Sequence, residues 1–193
     1  MALEADAGQL RRSHKLARRP IAAVALIAVV ALGAFFLIKA IGGGDGSESG
    51  TLKGSSKNGF TLSYPSAWRP LSKDELAKLP GNPLAVVQRK DGKGFIVVRR
   101  EKRAPASFGA FSTQLTSELE QRVPDFQKRS AKTVKISGGQ AFLYSYVRKR
   151  RGTVHAVVIV PDGKRSYAIN SVSRGGADNV AREVARIILS FKA

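Results

Sequence analysis

Hydrophobic residues fall into two regimes along this chain. Residues 21–38 form one apolar run, IAAVALIAVVALGAFFLI, broken only by Gly33 and free of charge. As a helix it spans about 27 Å, close to the roughly 30 Å hydrocarbon core of a bilayer. Pro20 suits a first helical turn, and Lys39 can extend its amine to the far interface. From residue 58 onward the apolar positions are periodic instead. Phe60-Thr61-Leu62-Ser63-Tyr64 alternates as a half-buried strand does, and Pro65 ends it. Ser72-Lys73-Asp74-Glu75 fits a capping box with Leu71 and Leu76 as a hydrophobic staple, which predicts a short helix stopped by Pro80-Gly81. Residues 84–90 and 94–101 read as strands about the turn Asp91-Gly92-Lys93-Gly94. Phe108, Phe111, Leu115 and Leu119 recur at helical spacing within 106–123, and Val180, Val184, Ile187 and Ile188 do so within 177–191. Between those helices, 126–136, 140–150, 153–160 and 165–173 read as four strands separated by glycine-containing turns. Strand runs joined by short turns, with helices interspersed, predict an α+β domain whose antiparallel sheet is covered by helices.

The flanks of the apolar run set its direction. Arg11, Arg12, Lys15, Arg18 and Arg19 precede it, whereas Lys39 alone follows closely, ahead of Asp45 and Glu48. The positive-inside rule then places residues 1–19 in the cytoplasm as a basic tail, with 20–41 crossing the cell membrane and the remainder outside. A cleaved signal peptide is the competing reading. It fits less well, because its apolar region is shorter and Lys39-Ala40-Ile41-Gly42 is a poor cleavage site. Residues 42–57 open with GGGDGSESG and read as a flexible linker, which leaves 58–193 as the extracytoplasmic domain. The tail's basic residues serve first as a topology signal, with contact to anionic headgroups or a cytoplasmic partner as a further role.

The opening strand carries a resemblance. Gly59-Phe60-Thr61-Leu62-Ser63-Tyr64-Pro65-Ser66-Ala67-Trp68 resembles the start of PsbP-like domains, named after an extrinsic subunit of photosystem II. The order that follows (short helix, hairpin, helix, meander of strands, terminal helix) is similar as well, over about residues 58–192. The resemblance implies an α-β-α sandwich with a central antiparallel sheet. It also implies binding or assembly rather than catalysis. No motif here is tied to a photosystem or to a Ran partner. On physical grounds alone, Pro65 turns the chain out of the ladder and Trp68 then plugs the corner between sheet and helix.

Composition narrows the chemistry. The chain has no cysteine, so disulfides, thiolate metal sites, a Cys nucleophile and a lipidated cysteine are excluded. His155 is the only histidine after the apolar run, and alternation places it on a strand. It has no G-x-S-x-G or H-E-x-x-H around it, and no P-loop or G-x-G-x-x-G occurs. The acidic residues are scattered, and Glu118 and Glu120 do not share a helix face. No catalytic residue, cofactor or metal ligand is assigned.

Charge is the one strong functional signal. Lys and Arg number 33 against 14 Asp and Glu, and residues 51–193 alone hold 27 against 10. Two clusters are candidate polyanion contacts: Arg99, Arg100, Lys102 and Arg103 at one strand end, and Arg148, Lys149, Arg150 and Arg151 at a turn. Phe142, Tyr144 and Tyr146 lead into the second cluster as a base-stacking platform would, although the same stripe is more simply a core face. Lys93-Gly94-Phe95 only begins an RNA-binding motif. The expected function is a membrane-anchored binding or scaffolding module whose basic head lies near the bilayer. Its partners would be anionic lipid, an envelope polymer or an unidentified protein, with nucleic acid less favoured. An electrostatic binder of polyanion and an enzyme of unrecognised type are the alternatives.

Overall fold

The structure, a computed structural model, describes residues 50–54, 59–174 and 178–193. The basic tail, the apolar run and most of the linker lie outside the described residues. Among those described, no helix is long and apolar enough to cross a membrane.

Among the described residues nine strands and three helices succeed one another, the seven strands and three helices read from the sequence in their expected order with two short strands added. They are β1 (Gly50–Lys53), β2 (Thr61–Tyr64), β3 (Trp68–Pro70), α1 (Lys73–Ala77), β4 (Ala85–Arg89) and β5 (Gly94–Glu101). Then come α2 (Phe108–Arg122), β6 (Phe126–Ile136), β7 (Gly139–Arg148), β8 (Thr153–Asp162), β9 (Arg165–Arg174) and α3 (Asp178–Leu189). β3 to β9 form one seven-stranded antiparallel sheet in the order β3-β4-β5-β9-β8-β7-β6, while β1 and β2 pair as a separate two-stranded ribbon.

Strand alternation sends apolar side chains to both faces, and helices cover each. On one face Ile96, Val98, Val158 and Ile169 pack beneath Val180, Val184, Ile187 and Ile188 of α3. On the other, Tyr144, Tyr146, Val157 and Ile159 pack beneath Phe111, Leu115 and Leu119 of α2, with α1 alongside closing Val86 and Val97 through Leu71 and Leu76. The α-β-α sandwich is therefore present. Ser72 and Glu75 form the predicted capping box.

Two short strands depart from the sequence reading. Residues 50–53, expected as linker, pair with β2 in the register Leu52↔Leu62, because Leu52 finds apolar cover against the α3-side core. Trp68 opens β3 opposite Arg89 and still plugs the corner as expected. It is 2% exposed, and its indole Nε1 donates to Glu183 Oε2 of α3 at 2.7 Å, an oxygen that also accepts from Arg89 Nε at 2.9 Å. Gly94, where the strand expected over 94–101 begins, is the first residue of β5. A Cβ there would stand 2.9 Å from the Trp68 ring and 3.0 Å from Val180, so the missing side chain is what lets tryptophan and helix close on the sheet.

Candidate functional site

The two basic clusters lie at opposite ends of the sheet. Arg99 is level with Ala168 of β9, whereas Arg148 is level with Thr153 of β8 and, through it, Arg174. Ala168 and Arg174 stand six residues apart on one strand, about 20 Å at the usual rise. The clusters do not merge.

Each cluster is also smaller than its sequence run, because its members within a strand lie under the layers that cover the sheet and only those beyond the strand end are exposed. Arg99 points beneath the α1–α2 layer and is 5% exposed; its Nη2 donates to the Pro80 carbonyl at 3.2 Å. Its Nε and Nη1 find no acceptor among the described residues. Burial lowers the Arg99 pKa, partly offset by Glu101, whose own pKa burial raises. Arg99 is thus withdrawn from any surface contact. Arg100 lies 4.2 Å from the centroid of the Tyr167 ring and is ion-paired with Asp162. Only Lys102 and Arg103 of this group are fully exposed.

In the second cluster Arg148 is the buried member. Its Nε and Nη2 each stand 3.4 Å from Asp125 Oδ1. Asp125 Oδ2 accepts from the Arg150 amide at 2.7 Å, and the Asp125 carbonyl accepts from the Lys149 amide at 3.3 Å. Asp125 adopts φ 65°, a left-handed conformation that Asp tolerates better than most residues. Desolvation raises its carboxyl pKa, but the Arg150 amide and the Arg148 charge together lower it further, so the group is anionic. One carboxylate in the α2–β6 turn thereby organises the β7–β8 turn, leaving Lys149, Arg150 and Arg151 exposed.

The histidine and the aromatic stripe belong to the core. His155 stacks on Tyr146 at 4.6 Å and 11°, with Nε2 2.9 Å from Thr153 Oγ1. Burial first, then the nearby Arg148 and Arg151, holds its pKa at about 4, so the ring is neutral. Tyr144 and Tyr146 are covered by α2, and the Tyr144 hydroxyl bonds Thr116 Oγ1 at 2.8 Å, which leaves no exposed platform for bases. Among the described residues no group of three or more His, Cys, Asp or Glu could hold a metal.

A third basic surface has no counterpart in any sequence run. Lys132 of β6 lines the α3 face, Arg182 and Arg186 are exposed on α3 itself, and Lys53 and Lys192 are exposed in the segments that pack on the α3-side core through Leu52 and Phe191. Glu183 of α3, next to Arg182, is tied to Trp68 and Arg89. These five cations come from four separate segments, so only the fold gathers them. The same face receives the chain from the linker, because β1 and β2 pack on it through Leu52, Phe60 and Leu62.

This architecture matches solved structures. Cyanobacterial PsbP from Synechocystis superposes with a TM-score of 0.53 at 14% identity, covering 79% of this chain and 96% of its own. The head has the PsbP-like fold. The Ran-binding protein Mog1p of Saccharomyces cerevisiae matches this PsbP-like head with a TM-score of 0.51 at 12% identity, over 76% of this chain and 95% of its own. No protein-family model matches the sequence, and no curated protein does. At such identities the likeness is one of fold, and the roles of residues in the PsbP-like head rest on its own geometry.

Proposed function

We propose that the protein is a single-pass membrane protein whose PsbP-like head, outside the cytoplasm, binds or scaffolds without catalysis, with its α3 face lying on an anionic bilayer surface. The observation that carries this reading is α3 and the segments packed beside it: Lys53, Lys132, Arg182, Arg186 and Lys192 are exposed there, and Glu183 is already paired with Arg89 and Trp68. Eight residues, 42–49, separate the span expected over 20–41 from β1. A flexible segment of that length has an r.m.s. reach of about 14–17 Å, within roughly two Debye lengths of the membrane at physiological salt. Each Lys or Arg held near an anionic leaflet contributes about 1 kcal/mol. A binding role also agrees with the Ran-binding description of Mog1p, though nothing of its partner is carried over.

Hydrogen exchange on the full chain in nanodiscs tests this. Protection of 178–193 and 50–54 should rise with the fraction of anionic lipid and fall again in about 0.5 M salt. Protection that responds to neither refutes the docking. Because the chain has no cysteine, Lys149→Cys gives a single thiol for topology. A membrane-impermeant reagent should label it in intact cells; labelling only after lysis would refute the orientation.

A second reading is favoured by the β7–β8 turn. Asp125 fixes its backbone while Lys149, Arg150 and Arg151 remain exposed, as a preorganised contact for an acidic polymer would require.

A further inference from the structure

A groove runs along the α3 face between α3 and strands β6 to β9, with a volume of about 320 Å³ and one side open to solvent. It exists because small residues face one another there. Ser145, Ala156, Ser171 and Ser173 form part of its floor, and Ala181 and Ala185 its helical wall, where larger side chains would let α3 seal the sheet. Val134, Leu143, Val158 and Ile188 make the remaining lining largely apolar. Leu189 stands at its rim and is 47% exposed, the one large hydrophobic residue so exposed among those described.

We propose that this groove holds one alkyl chain of an anionic lipid drawn from the bilayer, a proposal that rests on the membrane docking above. Backbone chemistry decides against a peptide. The floor is the face of a sheet whose N–H and C=O groups are paired within the sheet. A peptide laid there would bury its own polar backbone without partners, whereas an alkyl chain has none to satisfy. The neighbouring edge, β6, is guarded against strand addition by Lys128, Lys132 and Lys135 and by an irregularity between Lys128 and Ser130. Charge selects the headgroup: Lys132 lines the groove from β6, and Arg182 stands on α3 between Ala181 and Ala185, three residues before the latter. Position supplies the source, since the groove opens on the face that receives the linker.

The test uses the full chain in nanodiscs containing phosphatidylglycerol or phosphatidylcholine with a diazirine at the end of one acyl chain. After photolysis, cross-links should map to peptides spanning 143–158 and 181–189 as well as 21–38, with phosphatidylglycerol preferred in the head. Ala185→Trp fills the groove from an exposed helix position and should cut head cross-links about tenfold, the equivalent of two buried methylenes, while sparing those to 21–38. Ala181→Phe should act alike from the preceding turn, and Lys132→Glu with Arg182→Glu should erase the headgroup preference. Head peptides without cross-links, beside a labelled 21–38, overturn the groove and leave the anchor standing. Head cross-links unchanged in both filled variants overturn the groove as the site. Label in the head but none in 21–38 supports the groove and refutes the anchor; label in neither refutes both.

Discussion

Acidification should destabilise the head through His155 over a defined window. Burial and the adjacent Arg148 and Arg151 hold the folded imidazole at about 4, against about 6.5 in an unfolded chain, with Asp125 the acid that opposes them. The unfolded state therefore binds the extra proton between these values, and stability falls as pH drops from 6.5 to 4. Two and a half units correspond to about 3 kcal/mol, with a steepest slope near 1.4 kcal/mol per pH unit. At a denaturant dependence of about 2 kcal/mol per molar, the urea midpoint should fall by about 1.5 M across the window. Trp68, the chain's single tryptophan, is buried under α3 and reports unfolding by fluorescence. Carboxylates titrate in the same range, so the decisive quantity is the difference from His155→Phe, which keeps a ring on Tyr146 but cannot ionise. Loss of the Thr153 contact gives that variant a constant offset, whereas the histidine contribution varies with pH. Parallel curves for the two proteins between pH 6.5 and 4 would refute the reasoning.

Gly94→Ala should destabilise by about 1–3 kcal/mol, because its Cβ meets both Trp68 and Val180; a urea midpoint at the wild-type value would show that the corner relaxes freely. Replacing Lys149, Arg150 and Arg151 together by Ser should change stability by no more than about 0.5 kcal/mol. Arg148→Ser alone should lower the urea midpoint clearly, since it strips Asp125 of its buried partner. Equal effects from the triple and single variants would place Arg148 on the surface after all.

Long periodic elements were legible in the sequence, and the reason is redundancy. β7 and α2 each carry several repeats of their period, so one ambiguous residue does not shift the assignment. β1 and β3 have four and three residues, too few for a period to register, and each exists through a tertiary partner: Leu52 against the α3-side core, Trp68 against Glu183 and Arg89. Gly94 opens the strand where the sequence places it, but only packing reveals that its absent Cβ makes room for an indole. The basic runs were visible as charge but not as surface, because a sheet covered on both faces encloses strand residues whichever way they point, and the exposed cations lie beyond the strand ends. Arg99 is the cost of that geometry, a guanidinium with two donors unanswered among the described residues.

Spatial separation limits what the charge can do. A compact partner seated on Lys102 and Arg103 does not reach Lys149 to Arg151, since the two groups cap opposite ends of strands about 20 Å apart in level. Five other cations are exposed on α3 and on the segments packed beside it, where a planar anionic surface can meet several at once. Dispersed single charges on one face suit a bilayer, which presents charge everywhere and demands no register. A compact, backbone-fixed turn such as 149–151 suits a discrete acidic partner instead, because preorganisation matters only where geometry must match. The head's net excess is thus divided by geometry into a diffuse face and a localised tip. With the diffuse face held on the membrane, the tip lies at the sheet end rather than beneath it, open to a second partner while the first is engaged.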